Sequence, residues 1–334
     1  MSLRQRAARL LLVGYKGSVF DAESDMARAV RDLGIGGVLL FGRNIKSPDQ
    51  LHALTTALRK AAGDRPFLIA VDQEGGKVAR LGPENGFPAT PSQAEVGAGT
   101  AAEAREVGAA TGATLAGMGI NLNLAPVVDV NVNPTNPSIG ALDRSFSADP
   151  DVVVEMATSA ITGLHGAGVM ATIKHFPGLG SATGDTDHEF VDVTATWTRQ
   201  ELKPFSRLIA ADLPDAVMVA SALNGQLDAQ YPSTLSAPTH ALLREQLGWD
   251  GVVVTDDLQA GALRESYATA DITRLALAAG NDLLLFANMQ LYEPAVAETT
   301  IDEIVGLVEA GTISADQIDA SVARIERMVS RGSG

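Results

Sequence analysis

Cysteine is absent from the 334-residue chain. Disulfides, thiolate metal sites and thiol nucleophiles are therefore excluded, while the compartment is left open. Long apolar runs are also missing. The start, MSLRQRAARLLLVGYKG, carries arginines but an apolar run of only four residues. That is too short for the core of a signal peptide. No segment approaches the roughly 20 apolar residues of a membrane span. Bases are scarce, 25 against 40 acids, for a net charge of −15. Such a chain repels phosphate backbones and anionic lipid, so neither nucleic acid nor a membrane surface is an expected partner.

What is abundant is short, aliphatic sequence. Hydrophobic residues make up 46% of the chain, ample for a large core. Eight Val-, Leu- and Ile-rich runs recur: 10–14, 36–42, 67–72, 121–129, 169–175, 216–221, 251–256 and 282–287. Most lack polar alternation, as strands buried on both faces do. Amphipathic stretches lie between them. DAESDMARAVRDLG and SPDQLHALTTALRKAAG begin with Asp or Ser caps, and AAEAREVGAATGATLAGMG and PDVVVEMATSAITGLHGAG are similar. Each of the four ends near a glycine stop. LQAGALRESY also reads as helical. SADQIDASVARIERMVSRGSG reads as a closing helix with a frayed tail.

Eight buried strands alternating with helices predict an α/β fold, a (β/α)8 TIM-type barrel in a single domain. An open doubly wound sheet is the runner-up. The strand count favours the barrel, and no Gly-rich dinucleotide turn follows the first run. The long Pro-, Asn- and Gly-rich connections after runs three and four read as loops.

A barrel of this kind carries its site at the C-terminal strand ends. Asp72 ends run three, Asp129 ends run four, and Lys174 and His175 end run five. Asp256 and Asp257 end run seven, and Asn288 follows run eight. Each has a plain structural alternative. Asp257 or Asp256 can cap the next helix, Asp72 can brace a Gly-Gly turn, His175 can be a hydrogen-bonded core histidine, and Arg144 can be an ordinary loop arginine. Lys174 follows GVMATI without a turn, and a lysine at a buried strand end needs a partner or a ligand. His52, His165 and His240 have no motif around them and read as structural. No HExxH, no Asp/His metal spacing and no phosphate-cradling P-loop appears, so neither metal nor cofactor is expected.

A carboxylate at a strand end, a second proton-handling group on a loop and nearby Arg, Lys and Asp suit glycoside hydrolysis. Retaining enzymes set two carboxyls roughly 5–5.5 Å apart, one as nucleophile and one as acid/base. With only 4% aromatics, a polar clamp on sugar hydroxyls is expected rather than an aromatic platform.

FGRN, AVDQEGGKVARL, DRSFSADP, IKHFPGLG and GVVVTDDLQAGA follow in this order at the strand ends. Together they resemble the β-N-acetylglucosaminidases of glycoside hydrolase family 3 in their one-domain bacterial form. The resemblance runs from about Leu10 to Arg331, and residues 1–334 are taken as a single barrel domain of the N-terminal type. It implies a retaining hydrolase with Asp256 as nucleophile and Asp257 as a structural cap. It also implies that Asp72, Arg80, Arg144, Lys174 and His175 hold the sugar hydroxyls and the N-acetyl group. The implied substrate is an oligosaccharide bearing β-linked GlcNAc, peptidoglycan fragments among them, attacked from its end. A β-glucosidase or β-xylosidase, a GlcNAc phosphorylase of the same family, and a sugar-binding protein without turnover are the alternatives. The chain is expected to be cytoplasmic and monomeric, and an exported form would need a signal segment ahead of Met1.

The sequence departs from the family in one place. The family's acid/base loop carries an Asp-Ser-His triplet, with the aspartate eleven and the histidine thirteen residues beyond the lysine of KHFPG. Here those positions are Asp185 and Asp187, and His188 is fourteen residues on. Leu179 also replaces a second histidine of the common pattern. Either the loop holds an extra residue and His188 donates the proton beside Asp187 or Asp185, or Asp187 donates it directly. A loop absorbs one residue at little cost, and His188 is the reading preferred from sequence.

Overall fold

The computed structural model describes residues 1–332. All eight apolar runs contribute strands: β1 (Leu11–Gly14), β2 (Gly37–Leu40), β3 (Leu68–Val71), β4 (Leu122–Asn123), β5 (Met170–Phe176), β6 (Ala216–Val219), β7 (Val252–Thr255) and β8 (Leu284–Phe286). Every pairing is parallel, in the order β7-β6-β5-β4-β3-β2-β1-β8. The ring closes between β7 and β8 through a parallel bridge from Val254 to Leu283, with the Thr255 N–H donating to the Leu283 carbonyl at 3.0 Å. Neighbours in sequence are neighbours in the ring. No reversal of strand order occurs, so the barrel forms and the doubly wound sheet does not.

The absence of polar alternation follows from two separate cores. Leu12, Leu39, Leu68, Met170, Met218 and Val254 point into the barrel. Leu11, Val13, Leu40, Ile69, Ile173 and Val217 point outward beneath the helices. Both sets are excluded from water, so both phases of each strand are apolar, and each fully buried Leu, Ile or Val contributes roughly 1.5–3 kcal/mol. β4 is shorter than its apolar run. Pro126 has no N–H for the ladder, and beyond it the main chain follows β5 through the Val127–Lys174 bridge and the Val128 N–H to the Lys174 carbonyl at 2.8 Å.

The helices start on side-chain caps. Ser47 caps Pro48–Ala62, Thr100 caps Ala101–Gly117 and Asp149 caps Pro150–His165. Two expected helices differ. Residues 21–34 start from Ser24 rather than Asp21 and finish in a wider turn over Ala29–Leu33. LQAGALRESY forms one helical turn, Gly261–Arg264, before a longer helix at Thr269–Ala279. The closing helix is Ala315–Arg331, and the end of the expected tail, residues 333–334, lies outside the described residues. Ile325, Met328 and Val329 of this helix join the inward core. They seal the N-terminal mouth of the barrel and leave the C-terminal mouth as the open end.

Candidate active site

The open mouth holds a cleft of about 340 Å³. Its floor is made of inward strand residues such as Leu39, Met218 and Leu285, and its walls are strand-end loops. Just past β3, Gly75 and Gly76 adopt φ of 98° and 55°, a left-handed turn that side-chain-bearing residues resist. The turn is closed by the Glu74 N–H donating to the Val78 carbonyl at 2.9 Å. It folds Glu74 back over the barrel, where its side chain is 1% exposed.

Glu74 collects cations from the loop after β4 and from strand β5. Arg144 grips it with Nε at 2.7 Å and Nη2 at 2.8 Å, the planar two-point geometry that gives strong carboxylate pairs. The third nitrogen of Arg144 donates to the Ser138 carbonyl at 2.7 Å. Lys174, at the end of β5, lies 2.7 Å from Glu74 and 2.7 Å from Asp72. Arg80 adds a looser contact to Asp72 at 3.7 Å. Burial alone would push the Glu74 and Asp72 carboxyls up. For Glu74, Arg144 and then Lys174 outweigh burial, and for Asp72, Lys174 and then Arg80 do so, so both acids are held below their ordinary range. Burial likewise opposes the charge on Lys174, but Asp72 and Glu74 hold it above its ordinary value. The cluster is therefore fully ionised, with donors and acceptors facing the cleft.

His175 is fixed differently. Its Nδ1 lies 2.7 Å from Asp129, which also accepts the His175 N–H at 3.2 Å and the Leu179 N–H at 2.8 Å. Asp129 is fully buried. It acts by orienting the imidazole, leaving Nε2 turned towards Arg144 at 3.5 Å.

At the exit of β7, Asp256 and Asp257 both border the cleft, and Asp257 is also tied into the backbone. The Asp257 carboxyl accepts the Gln259 N–H at 3.0 Å and the Ala287 N–H at 2.9 Å, tying the ends of β7 and β8 together. Burial pushes it up to about 7. Asp256 accepts the Asp257 N–H at 2.9 Å and is half-buried. Asn288 pairs with Gln259 and the Glu293 N–H, so it braces the β8 loop rather than lining the cleft.

The loop after β5 brings Asp185, Thr186 and Asp187 into the cleft wall. His188 does not line the cleft and is turned to solvent. Asp187, like His188, is exposed on the loop, but it also borders the cleft. Burial first, then the charges of Asp256 and Asp185, push it up to about 6, against a smaller opposing pull from Arg144 and His188. Asp72, Arg80, Arg144, Lys174, His175, Asp185, Asp187 and Asp256 thus share one cleft, and His188 stands outside it.

Sequence reasoning did not single out Glu74, Glu201 or Arg43. Glu74 was visible only as the acid in VDQEGG. Glu201 is buried under the same loop, accepting the Ser181 N–H at 3.1 Å, and burial pushes it up to about 7. Arg43, from FGRN, lines the rim with Met289 and Gln290. His165 pairs with Asp215, and His240 is buried behind the barrel. Among the described residues no group of three or more His, Asp or Glu is arranged to hold a metal ion. No described helix is long and apolar enough to cross a membrane.

Residues 2–328 match the model of the glycosyl hydrolase family 3 N-terminal domain. The chain is 37% identical to a Beta-hexosaminidase of Tolumonas auensis, covering 83% of this chain and 82% of that protein. It is 31% identical to Beta-hexosaminidase A of Pseudoalteromonas piscicida over 91% of this chain but only 54% of the relative, so it spans about half of that protein. Among solved structures it is similar to a glycoside hydrolase family 3 beta-N-acetylglucosaminidase from Paenibacillus sp., with a TM-score of 0.93 and 36% identity, over 100% of this chain and 63% of that one.

Proposed function

The chain belongs to glycosyl hydrolase family 3, and on that premise we propose that it is a β-N-acetylglucosaminidase working with retention of configuration. One observation carries the reading. Asp256 and the proton-holding Asp187 face the same cleft beside an ionised Lys174–Asp72–Glu74–Arg144 cluster.

The chemistry runs in two steps. Asp256 attacks the anomeric carbon, the glycosidic bond breaks, and the Asp187 proton goes to the leaving oxygen. Asp187, now a carboxylate, takes a proton from water, whose oxygen attacks the anomeric carbon and releases Asp256. Two displacements on opposite faces return the β-anomer. Asp72, Arg80, Lys174, Arg144 and His175 hold the sugar by its hydroxyls and acetamido group. The preference for an N-acetylated sugar rests on the relatives' activities. We extend it to GlcNAc at the non-reducing end of oligosaccharides such as peptidoglycan fragments.

Asp187 is preferred here over His188. It lines the cleft and its carboxyl holds a proton better than a free aspartate, whereas His188, equally exposed, does not line the cleft. The test is hydrolysis of an aryl β-GlcNAc by wild type and by Asp256→Ala, with the product anomer read by NMR. Turnover giving the β-anomer and its loss in the variant support the proposal. Activity surviving Asp256→Ala, first release of the α-anomer, faster cleavage of aryl glucoside, or GlcNAc binding without turnover would each overturn it.

A further inference from the structure

We infer that Gly261 is a positioning residue for the acid/base loop, and that it works by letting that loop's backbone seat directly on the loop carrying Asp256. The inference rests on the glycosidase reading above and adds a component to it. Gly261 follows Asp256 by five residues in the same β7 exit. Its N–H donates to the Asp187 carbonyl at 2.9 Å, and the next N–H, of Ala262, donates to the Thr186 carbonyl at 3.1 Å. The loops bearing the two proposed catalytic carboxyls are thus joined main chain to main chain.

Only glycine fits this contact. A Cβ at position 261 would lie 2.5 Å from the His188 carbonyl oxygen and 2.6 Å from its carbonyl carbon. Both are backbone atoms, which cannot rotate aside. Gly261 is not at positive φ, so conformational freedom is not what requires it. Space is.

The rest of the loop is held elsewhere. Its root is fastened by the connection after β4: Asn133 Nδ2 donates to the Ala182 carbonyl at 2.8 Å and Asn136 Nδ2 to the Leu179 carbonyl at 2.7 Å. The tip has a long bond from Ser138 Oγ to the Gly184 carbonyl at 3.4 Å and then the Gly261–Ala262 seat. A side chain at 261 should therefore lift the tip and Asp187 while the root and Asp256 stay in place. A displacement of about 1 Å at a reacting group can cost on the order of 100-fold.

The experiment compares Gly261→Ala with wild type on two β-GlcNAc substrates. One has a dinitrophenyl leaving group, which departs without a proton, and the other is a disaccharide, which needs one. Gly306→Ala is the control, because a Cβ there meets nothing within 4 Å. The expected result for Gly261→Ala is a fall in kcat/KM on the disaccharide of about tenfold or more, with little change on the dinitrophenyl glycoside. Hydrogen exchange should rise across residues 182–190 and not in the strands. Equal losses on both substrates, no loss, unchanged exchange in the loop, or global unfolding of Gly261→Ala beside a folded control would overturn the inference. Wild type inactive on both substrates would instead sink the glycosidase reading, and the exchange measurement still decides whether Gly261 seats the loop.

Discussion

Replacing Asp187 separately from His188 decides which group moves the proton. The structure gives the size of the effect. At pH 7 a carboxyl of pKa about 6 is protonated in about one molecule in eleven, against about one in 1,600 at its ordinary 3.8. Burial and the neighbouring charges therefore make the acid form about ten- to a hundredfold more abundant once solvent screening at this exposed loop is allowed for. Asp187→Ala should lower kcat/KM on a disaccharide by about 10²–10⁴-fold, the range of general acid catalysis. It should spare the dinitrophenyl glycoside, and azide should restore kcat by replacing the base-activated water. His188→Ala should cost only a small factor, because His188 does not line the cleft. An acid must be protonated to act, so wild-type kcat/KM should be full below about pH 6 and decline above it. A histidine acid would also lose activity towards alkaline pH, so a pH profile alone does not separate the two. The paired Ala variants do, because each removes only one of the two candidate acids. A loss of about 100-fold in His188→Ala beside a nearly active Asp187→Ala would refute the reasoning.

Two further outcomes test the supporting structure. Glu74→Ala strips Arg144 of its two-point partner and Lys174 of one of its two carboxylates. Breaking a buried pair of this kind costs about 3–5 kcal/mol, readable by denaturant unfolding, and a loss below about 1 kcal/mol would mean that the cluster behaves like an exposed pair. Glu201 carries a pH signature. Its proton is held to about 7 in the folded chain, against 4.5 ordinarily. Between those values the folded state binds more protons than the unfolded one, so stability falls as pH rises through the window and levels above it. Glu201→Gln should flatten part of that slope, gaining at most about 3 kcal/mol at pH 8 relative to pH 5. Asp257, also raised to about 7, should retain the remainder. An unchanged slope in calorimetric scans across that range would contradict the assignment.

The barrel was legible because each strand must be apolar on both phases, one facing Leu12 and its inward neighbours and the other facing the helices. β4 resisted only where Pro126 interrupts the ladder. Asp72, Lys174, His175 and Asp256 were legible because a parallel strand delivers its last residues to the open mouth. Glu74 was not, because its role depends on a left-handed Gly75–Gly76 turn and on an arginine 70 residues away. Glu201 sits in TRQELKPF, a segment with no motif around it, and only tertiary packing buries it. The choice between Asp187 and His188 could not be read from spacing. In an irregular loop the direction of a side chain is set by what the backbone pairs with. Here that partner is Gly261 and Ala262, far along the chain.

The cation cluster has an electrostatic logic of its own. The proposed reaction passes through an oxocarbenium-like state that carries positive charge, and Lys174, Arg144 and Arg80 all border the cleft. A unit charge about 4 Å away contributes about 4 kcal/mol at an effective dielectric of about 20, so even one unpaired cation would offset much of the catalysis. Glu74 and Asp72 offset two of the three positive charges. Glu74 takes Arg144 and one contact from Lys174, and Asp72 takes the other contact and borders Arg80. In the proposed reading the N–H groups serve as donors for sugar oxygens while most of their charge is offset. Among the described residues no Lys or Arg forms an ion pair with Asp256. Its negative charge is thereby left to stabilise the developing cation and to help keep the proton on Asp187. The same arrangement accounts for a buried acid that never needs to touch the reacting carbon: Glu74 makes Arg144 and Lys174 compatible with a cationic transition state by pairing with both.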